Sequence, residues 1–130
     1  GAPLRVTRTV GLVRSGPTPF ALVLDDLQQG NATATYTWRL FVGVTPRTAT
    51  VQGLDLLLGP TGNRSVTLLL RVLPGSSPVA SLRLNGNFVE IVSRGVAAQF
   101  RVLLMVLPFS TSARPVTTWN AAAHEIGVTP

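Results

Sequence analysis

Side chains that could carry acid–base or nucleophilic chemistry are scarce in this chain. Its 130 residues include five acidic residues, one histidine and no cysteine, which excludes thiol catalysis, disulfide bonds and cysteine-based metal sites. The only adjacent carboxylates are Asp25 and Asp26. Because neighbouring residues of a strand point to opposite faces of a sheet, these two are poorly placed to share a proton. We expect them to cap a turn at the end of a strand, with Ca²⁺ ligation as the alternative.

The single histidine, His124, is followed by Glu125 in a C-terminal segment that is poor in other metal-ligating residues. We expect this pair to be exposed polar residues, with metal binding as the alternative. The sequence has no glycine-rich phosphate loop, no serine nucleophile motif and no zinc-ligand spacing. It therefore predicts a chain that is not an enzyme and that holds no cofactor and no metal.

Two N-glycosylation motifs fall in predicted turns, at Asn31-Ala32-Thr33 and Asn63-Arg64-Ser65. N-linked glycans sit on surface turns, so this placement predicts glycosylation of Asn31 and Asn63 and an extracellular or cell-surface location. Thr18 lies between two prolines and is a candidate for O-glycosylation, although a rigid proline-containing linker is the simpler interpretation.

All the positive charge comes from arginine, because the net charge is +6 and the chain has no lysine. The 11 arginines are spread along the sequence, about one in each predicted strand or loop. Most are expected to be solvated strand residues whose aliphatic stems lie over apolar neighbours. The alternative is an acidic polysaccharide bound through guanidinium groups, with Arg39, Arg101 and Trp119 as the candidate contacts. Nucleic acid is disfavoured, because the arginines and aromatic residues do not cluster.

Apolar and polar residues alternate along most of the chain, which is the pattern of β-strands. In residues 33–42, four residues fall on one face and are predicted to form the centre of a core: Tyr36, Trp38, Leu40 and Val42. Residues 99–107 are apolar on both faces, as in a central strand that is covered on both sides. The predicted strands cover residues 4–14, 20–25, 33–42, 48–52, 54–58, 65–73, 79–84, 88–93 and 99–107, and a short turn of helix is expected at 120–125.

About eight to ten strands at short spacing, without a long helix, predict an all-β fold, an antiparallel β-sandwich of jelly-roll type. Asn85-Gly86-Asn87 separates two of these strands, and Asn-Gly is the strongest signal for a tight hairpin turn. No apolar run approaches the roughly 20 residues that span a bilayer as a helix, so no membrane span is predicted.

Three short motifs resemble a known module. The sequence Phe-Ala-Leu-Val-Leu-Asp-Asp at 20–26, Tyr-Thr-Trp-Arg-Leu at 36–40 and the strand 100–107 running into Pro108 are similar to the C-terminal β-sandwich of heparinase II/III-like polysaccharide lyases. The likeness covers about residues 8–108 and implies a β-sandwich fold. In that family the chemistry belongs to a helical toroid domain that precedes the sandwich, and nothing in this chain resembles the toroid.

The N-terminal strand is set apart from the rest of the chain by Ser15-Gly16-Pro17-Thr18-Pro19, a stiff connector. Residues 1–16 are therefore predicted to form an arm that is exchanged with a neighbouring subunit, and residues 17–130 the sandwich domain. One face of the arm carries four apolar residues, Leu4, Val6, Val10 and Leu12.

The composition, 45% hydrophobic and 12% charged, indicates apolar surface that needs a partner. The preferred hypothesis is a non-catalytic extracellular structural subunit that assembles with copies of itself by head-to-tail strand pairing into a glycosylated homopolymeric fibre. The alternative is a carbohydrate-binding or scaffolding β-sandwich module of a heparinase II/III-like polysaccharide lyase.

Overall fold

The computed structural model describes residues 4–14, 18–43, 47–60, 67–107, 114–120, 122–123 and 125–129. These residues form eleven strands, all paired antiparallel, and they contain no helix, so none that could cross a membrane. The strands are β1 (Leu4–Val13), β2 (Phe20–Gln29), β3 (Ala34–Phe41), β4 (Arg47–Gln52), β5 (Asp55–Pro60), β6 (Thr67–Val72), β7 (Ser81–Asn85), β8 (Phe88–Gly95), β9 (Ala97–Leu107), β10 (Val116–Asn120) and β11 (Glu125–Thr129).

The larger sheet has six strands in the order β1-β2-β9-β6-β5-β4. Strand β9 lies near its middle, between β2 and β6, and the smaller sheet covers one of its faces. Because successive side chains alternate between faces, Val102 packs in one apolar core and Leu103 in the other, and both are fully buried. The prediction that 99–107 is a central strand covered on both faces is therefore confirmed.

The smaller sheet has three strands in the order β3-β8-β7. Its apolar face packs on the larger sheet and forms the main core, which contains Tyr36 and Trp38, as the alternation predicts. Strands β7 and β8 are joined by a two-residue turn in which Gly86 has a positive φ, the conformation that favours glycine. The two packed sheets confirm the prediction of an antiparallel β-sandwich.

The hairpin of β10 and β11 lies on the other face of the larger sheet, where Ile126 and Val128 pack against a second apolar core. Residues 120–125 were expected to form a turn of helix, and this prediction is wrong. Asn120 ends β10, its side-chain Oδ1 accepts a hydrogen bond from the Ala123 backbone N–H, and Glu125 begins β11. The polar asparagine side chain closes a chain reversal here instead of starting a helix.

The two sheets differ in width, and the smaller one covers only part of the larger. Strand β7 lies near β4, and β3 and β8 lie near β9, so the free edge of β3 faces the β1 end of the larger sheet. Val6 and Val10 are directly opposite Leu27 and Val23 of β2, which belong to the main core, so they lie on the core-facing side of the sheet. The second layer does not reach them.

This uncovered part of β1 consists of four apolar residues that we call the apolar strip. Their side chains share one face of the strand, and between 52% and 64% of each residue's surface is exposed. The strip residues are Leu4, Val6, Val10 and Leu12.

Candidate functional site

Strand β1 is held to the body of the molecule by its ladder with β2 and by one ion pair. All ten residues of β1 have partners on β2, from Leu4 opposite Gln29 to Val13 opposite Phe20. In the middle of this ladder Arg8 lies opposite Asp25 and binds both of its carboxylate oxygens, with Nε to Oδ1 at 2.8 Å and Nη2 to Oδ2 at 2.6 Å. Such a two-point guanidinium contact fixes geometry as well as charge.

The Arg8–Asp25 pair is asymmetric in its exposure. The Asp25 side chain is buried (4% exposed), whereas 56% of the Arg8 side chain faces solvent. The hydrogen bond to Asp25 raises the pKa of Arg8 above its ordinary value. A carboxylate buried on the core-facing side of a sheet is costly without a charged partner. Arg8 of β1 is that charged partner for Asp25 of β2.

Asp25 and Asp26 point to opposite faces, as the sequence predicts, but the expectation that they cap a turn is wrong. Strand β2 continues to Gln29, and Asp26 pairs on the outer face with Arg101, Nη1 to Oδ1, at 2.8 Å. Two guanidinium groups thus neutralise two acidic residues inside a strand. Within the described residues no group of three or more metal-ligating side chains is present.

The opposite edge of the larger sheet is formed by β4, which pairs with β5 on one side and with no other described strand on its free side. Its residues Thr48–Gln52 are exposed and carry no charge. Edge strands of monomeric proteins are usually protected by charged side chains, prolines or bulges. The larger sheet therefore has two edges, one bearing the apolar strip and one on which Arg47 is followed by five uncharged residues.

The three residues predicted to contact a glycan are not brought together. Arg39 lies on the outer face of the smaller sheet, opposite Glu90 of β8, and is 58% exposed. Arg101 lies on the outer face of the larger sheet and is tied to Asp26 and to the carbonyl oxygen of Asp25. Trp119 belongs to β10 and its indole lies against Gly75.

A charged cluster around Glu90 was not predicted from the sequence. Glu90 accepts hydrogen bonds from Arg39 Nε at 2.7 Å and Asn85 Nδ2 at 2.7 Å, and it forms an ion pair with Arg83 at 3.3 Å. The hydrogen bond from Asn85, followed by Arg39 and Arg83, lowers the pKa of Glu90. The only signal for this cluster is strand register, since Arg39, Glu90 and Arg83 are opposite one another on three neighbouring strands. We call these four residues the Glu90 cluster.

Two exposed aromatic rings adjoin the Glu90 cluster. Phe41 and Phe88 are opposite one another at the end of the β3–β8 ladder, with ring centroids 5.5 Å apart in an edge-to-face arrangement. The guanidinium carbon of Arg39 lies 5.7 Å from the centroid of Phe88, within the range of a cation–π contact. Guanidinium groups and aromatic surface therefore meet on one exposed face.

A second cluster of arginine and carboxylate side chains is centred on Asp55. Asp55 is buried and binds Arg71 through both oxygens, and it also accepts from Arg114. Arg71 donates to the carbonyl oxygen of Pro115, directly before β10, and Arg114 donates to Gln52. This cluster anchors the β10–β11 hairpin to the outer face of the larger sheet, and its guanidinium groups are largely enclosed.

The remaining predicted sites have separate positions. Asn31 is exposed in the turn between β2 and β3, where a glycan would meet solvent. Thr18 is half-buried just before β2. Asn63 and His124 lie outside the described residues. Comparison with protein-family models, with curated proteins and with solved structures finds no match for this chain.

Proposed function

We propose that this protein is a non-catalytic structural subunit that polymerises head to tail, with β1 of one copy pairing with a strand edge of the next. The observation that supports this most directly is the state of β1. It lies at a sheet edge, and its apolar strip is exposed on the side where the core continues. A second copy is the partner that would cover it.

Backbone and side chains both favour strand pairing at this place. The free side of an edge strand presents unpaired N–H and C=O groups, which supply affinity when another strand is added. The apolar strip adds the burial of Leu and Val side chains, worth about 25 cal/mol per Å² of apolar surface removed from water. The two effects act on the same ten-residue strand.

Head-to-tail pairing gives a fibre because donor and acceptor are different surfaces. A contact between two unlike surfaces leaves one of each free at the ends of the assembly, so it continues unless the rotation closes a ring. The high apolar content and the low charge of the chain suit a subunit that is buried on several sides in such an assembly. A glycan on exposed Asn31 would fit an extracellular fibre, since this turn faces solvent.

The test is the oligomeric state of the purified chain, measured by light scattering and negative-stain microscopy. The full chain is expected to form filaments, whereas a chain lacking residues 1–16 is expected to stay monomeric. Because that deletion also removes the partner of a buried carboxylate, a gentler variant is needed. Val6→Ser with Val10→Ser should abolish filaments while circular dichroism stays unchanged, and Thr7→Ser with Thr9→Ser, on the other face of β1, should leave them intact. Monomers of the full chain at every concentration would refute the proposal.

A second candidate function is binding of an acidic polysaccharide, as expected for a module of a heparinase II/III-like lyase, and the Glu90 cluster favours it. Arg39 and Arg83 share one carboxylate, and about 60% of each side chain remains exposed. Each guanidinium keeps N–H donors that can bind a carboxylate or sulfate group of a ligand. Phe41 and Phe88 beside them offer an apolar surface for a sugar ring.

This candidate is tested by affinity electrophoresis in gels that contain alginate, heparin or a neutral glucan. Arg39→Ala and Phe88→Ala should each abolish retardation by the acidic polymers. Arg94→Ala changes charge equally on the same sheet face but beside Thr35, at the other end of the ladder, and should weaken retardation only slightly. Equal losses for Arg39→Ala and Arg94→Ala would indicate unspecific charge attraction and would reject the site.

A further inference from the structure

A groove crosses β1, β2 and β9 on the outer face of the larger sheet and has a volume of about 270 Å³. Neither candidate function above involves it. We call it the outer groove, and its side chains come from two rows of directly opposite residues, Arg5–Gln28–Ala97 and Thr7–Asp26–Gln99. We propose that the outer groove binds a small carboxylate that also carries hydroxyl groups, such as a sugar acid.

The outer groove lies on the part of this face that is away from the β10–β11 hairpin. The hairpin packs on the second core, which includes Phe20 and Met105, directly opposite one another at one end of the β2–β9 ladder. Gln28 and Ala97 are paired at the other end. Ala97 has the smallest side chain of the two rows and leaves space that a longer one would fill. A volume of about 270 Å³ is just below the range of roughly 300–1,000 Å³ that holds drug-sized ligands, so it suits a smaller molecule.

The charges of the outer groove favour an anion. Arg5 is exposed, and its guanidinium group makes no ion pair or hydrogen bond with another described residue. Asp26 is already neutralised by Arg101, whose Nη1 lies 2.8 Å from Asp26 Oδ1. The positive charge of Arg5 is therefore uncompensated, and a free guanidinium group binds a carboxylate through two parallel hydrogen bonds.

The other side chains supply both donors and acceptors of hydrogen bonds, which favours hydroxyl groups on the ligand. The Gln99 amide and the Thr7 hydroxyl can each donate and accept, and neither side chain has a partner among the described residues. Asp26 keeps Oδ2 as an acceptor, since Arg101 binds Oδ1. A ligand hydroxyl can donate to Asp26 and accept from Gln99 or Thr7. A sulfate ion carries acceptors only and has nothing to donate to Asp26.

Contacts outside the outer groove hold its walls in place. Tyr36 Oη accepts a hydrogen bond from the Gln29 backbone N–H at 3.0 Å and donates to the Val96 carbonyl oxygen at 2.9 Å, which ties the end of β2 to the start of β9. Arg101, whose side chain is mostly buried, fixes one oxygen of Asp26. Binding therefore requires little ordering of the protein, which favours the affinity of a small ligand.

The outer groove is separate from both surfaces considered above. Arg5 and Thr7 lie on the face of β1 opposite the apolar strip, because they alternate with the strip residues along the strand. The Glu90 cluster belongs to the smaller sheet. This inference therefore depends neither on self-assembly nor on polysaccharide binding.

The test uses gluconate, an open-chain sugar acid, with glucose and butyrate as ligands that lack its carboxylate or its hydroxyl groups. Saturation-transfer difference NMR on the full chain measures binding, because it observes the ligand and works for monomers and filaments alike. Gluconate should bind at least about tenfold more tightly than either comparison ligand, since a hydrogen bond to a charged group contributes about a factor of ten or more. Equal binding of all three ligands, or no binding of gluconate, would overturn the proposal.

Four variants, each checked for folding by circular dichroism, locate the site. Arg5→Gln should weaken gluconate binding at least about tenfold, and Ala97→Leu, at an exposed position, should abolish it by filling the outer groove. Arg14→Gln, just beyond the other end of β1, and Arg39→Gln in the Glu90 cluster should leave the affinity within about twofold, since charges this far away are screened by salt. If either control weakens binding as much as Arg5→Gln, or if Ala97→Leu leaves it unchanged, gluconate does not occupy the outer groove and the proposal is wrong.

Discussion

Strands β9 and β1 both carry many aliphatic residues, yet they lie in opposite environments. Strand β9 sits between β2 and β6, and its Val102 and Leu103 are fully buried on opposite faces. Strand β1 sits at an edge, and its Val10 is 64% exposed. The same residue types are therefore buried in one strand and exposed in the other. Whether an aliphatic residue is buried therefore depends more on the layers that cover its strand than on the composition of the strand.

The largest expected effect is on the free energy of unfolding, which a substitution in β9 should lower much more than one in β1. Leu103→Ala removes a fully buried side chain from the second core and should lower the free energy of unfolding by about 2–5 kcal/mol, through lost burial and the cavity left behind. Leu12→Ala, on the exposed strip, should change it by less than about 0.5 kcal/mol. Urea unfolding at a concentration where the chain is monomeric measures both. Equal losses would show that β1 is buried in the monomer after all.

The next effect concerns the hairpin that covers the outer core next to β9. Gly75 has a φ of 89°, and a Cβ added there would lie 3.1 Å from the Trp119 ring. Gly75→Ala should therefore cost about 2–3 kcal/mol, from backbone strain and displacement of the indole. Gly86→Ala is the matched control, since its φ of 59° is also positive but no atom lies within 4 Å. It should cost only about 1 kcal/mol, and Trp119 fluorescence should change in the first variant alone.

A smaller effect tests the ion pair between Arg8 of β1 and Asp25 of β2. Arg8→Ala leaves the buried Asp25 carboxylate without its cation and should lower the free energy of unfolding by about 1–2 kcal/mol, a value reduced by the exposure of Arg8. Arg5→Ala removes the same charge from the opposite face of β1 and should change stability by no more than about 0.5 kcal/mol. If both variants behave alike, the ion pair makes no contribution to the stability of the monomer.

Local sequence patterns predict much of this contrast, and strand pairing explains where they fail. Alternation identifies β3 and places Tyr36 and Trp38 in the core, and the doubly apolar run 99–107 identifies a central strand. The prediction that the second strand ends at Asp25 is too short, because aspartate is a poor strand former. The structure continues β2 to Gln29, since Arg8 of the neighbouring strand neutralises the carboxylate. The positive charge that lets Asp25 lie inside a strand therefore comes from a residue 17 positions away in the sequence.

The candidate sites depend even more on long-range pairing. The exposure of the apolar strip follows from a six-stranded sheet packed under a three-stranded one, a difference in width that no local motif encodes. The Glu90 cluster needs the register of three strands, and its members Arg39 and Glu90 are 51 residues apart in sequence. Hairpin β10–β11 was missed because its strands are short and alternate weakly, and packing on the second core stabilises them.

The pH dependence of unfolding tests whether the Glu90 cluster contributes to the stability of the monomer. The pKa of Glu90 is lowered in the folded chain, chiefly by the hydrogen bond from Asn85 and then by Arg39. A lowered carboxyl pKa adds stability above the unfolded value, ordinarily near 4.5, and this contribution is lost as the pH falls toward the folded value. Glu90→Gln should therefore lower the urea midpoint at neutral pH and should lose less stability than the parent on acidification below about pH 4.5. Parallel pH profiles for the two chains would show that the cluster contributes nothing to folding.

The smallest change in monomer stability should accompany a clear change in assembly. Val10→Thr keeps the shape of an exposed strip residue but replaces a methyl group by a hydroxyl, so the free energy of unfolding should change by no more than about 0.5 kcal/mol. If the strip is buried between copies, losing about one methyl group of apolar contact should raise the critical concentration for filament formation roughly fourfold. Thr9→Val adds the same methyl group on the other face of β1 and should leave that concentration within about twofold of the parent, since this face lies outside the strip. The same substitution at Val102, which is fully buried in β9, should instead lower the free energy of unfolding of the monomer by about 1–3 kcal/mol. A valine on β9 would then report on folding and a valine on β1 on assembly, whereas an unchanged critical concentration for Val10→Thr would mean that the strip stays exposed in the polymer.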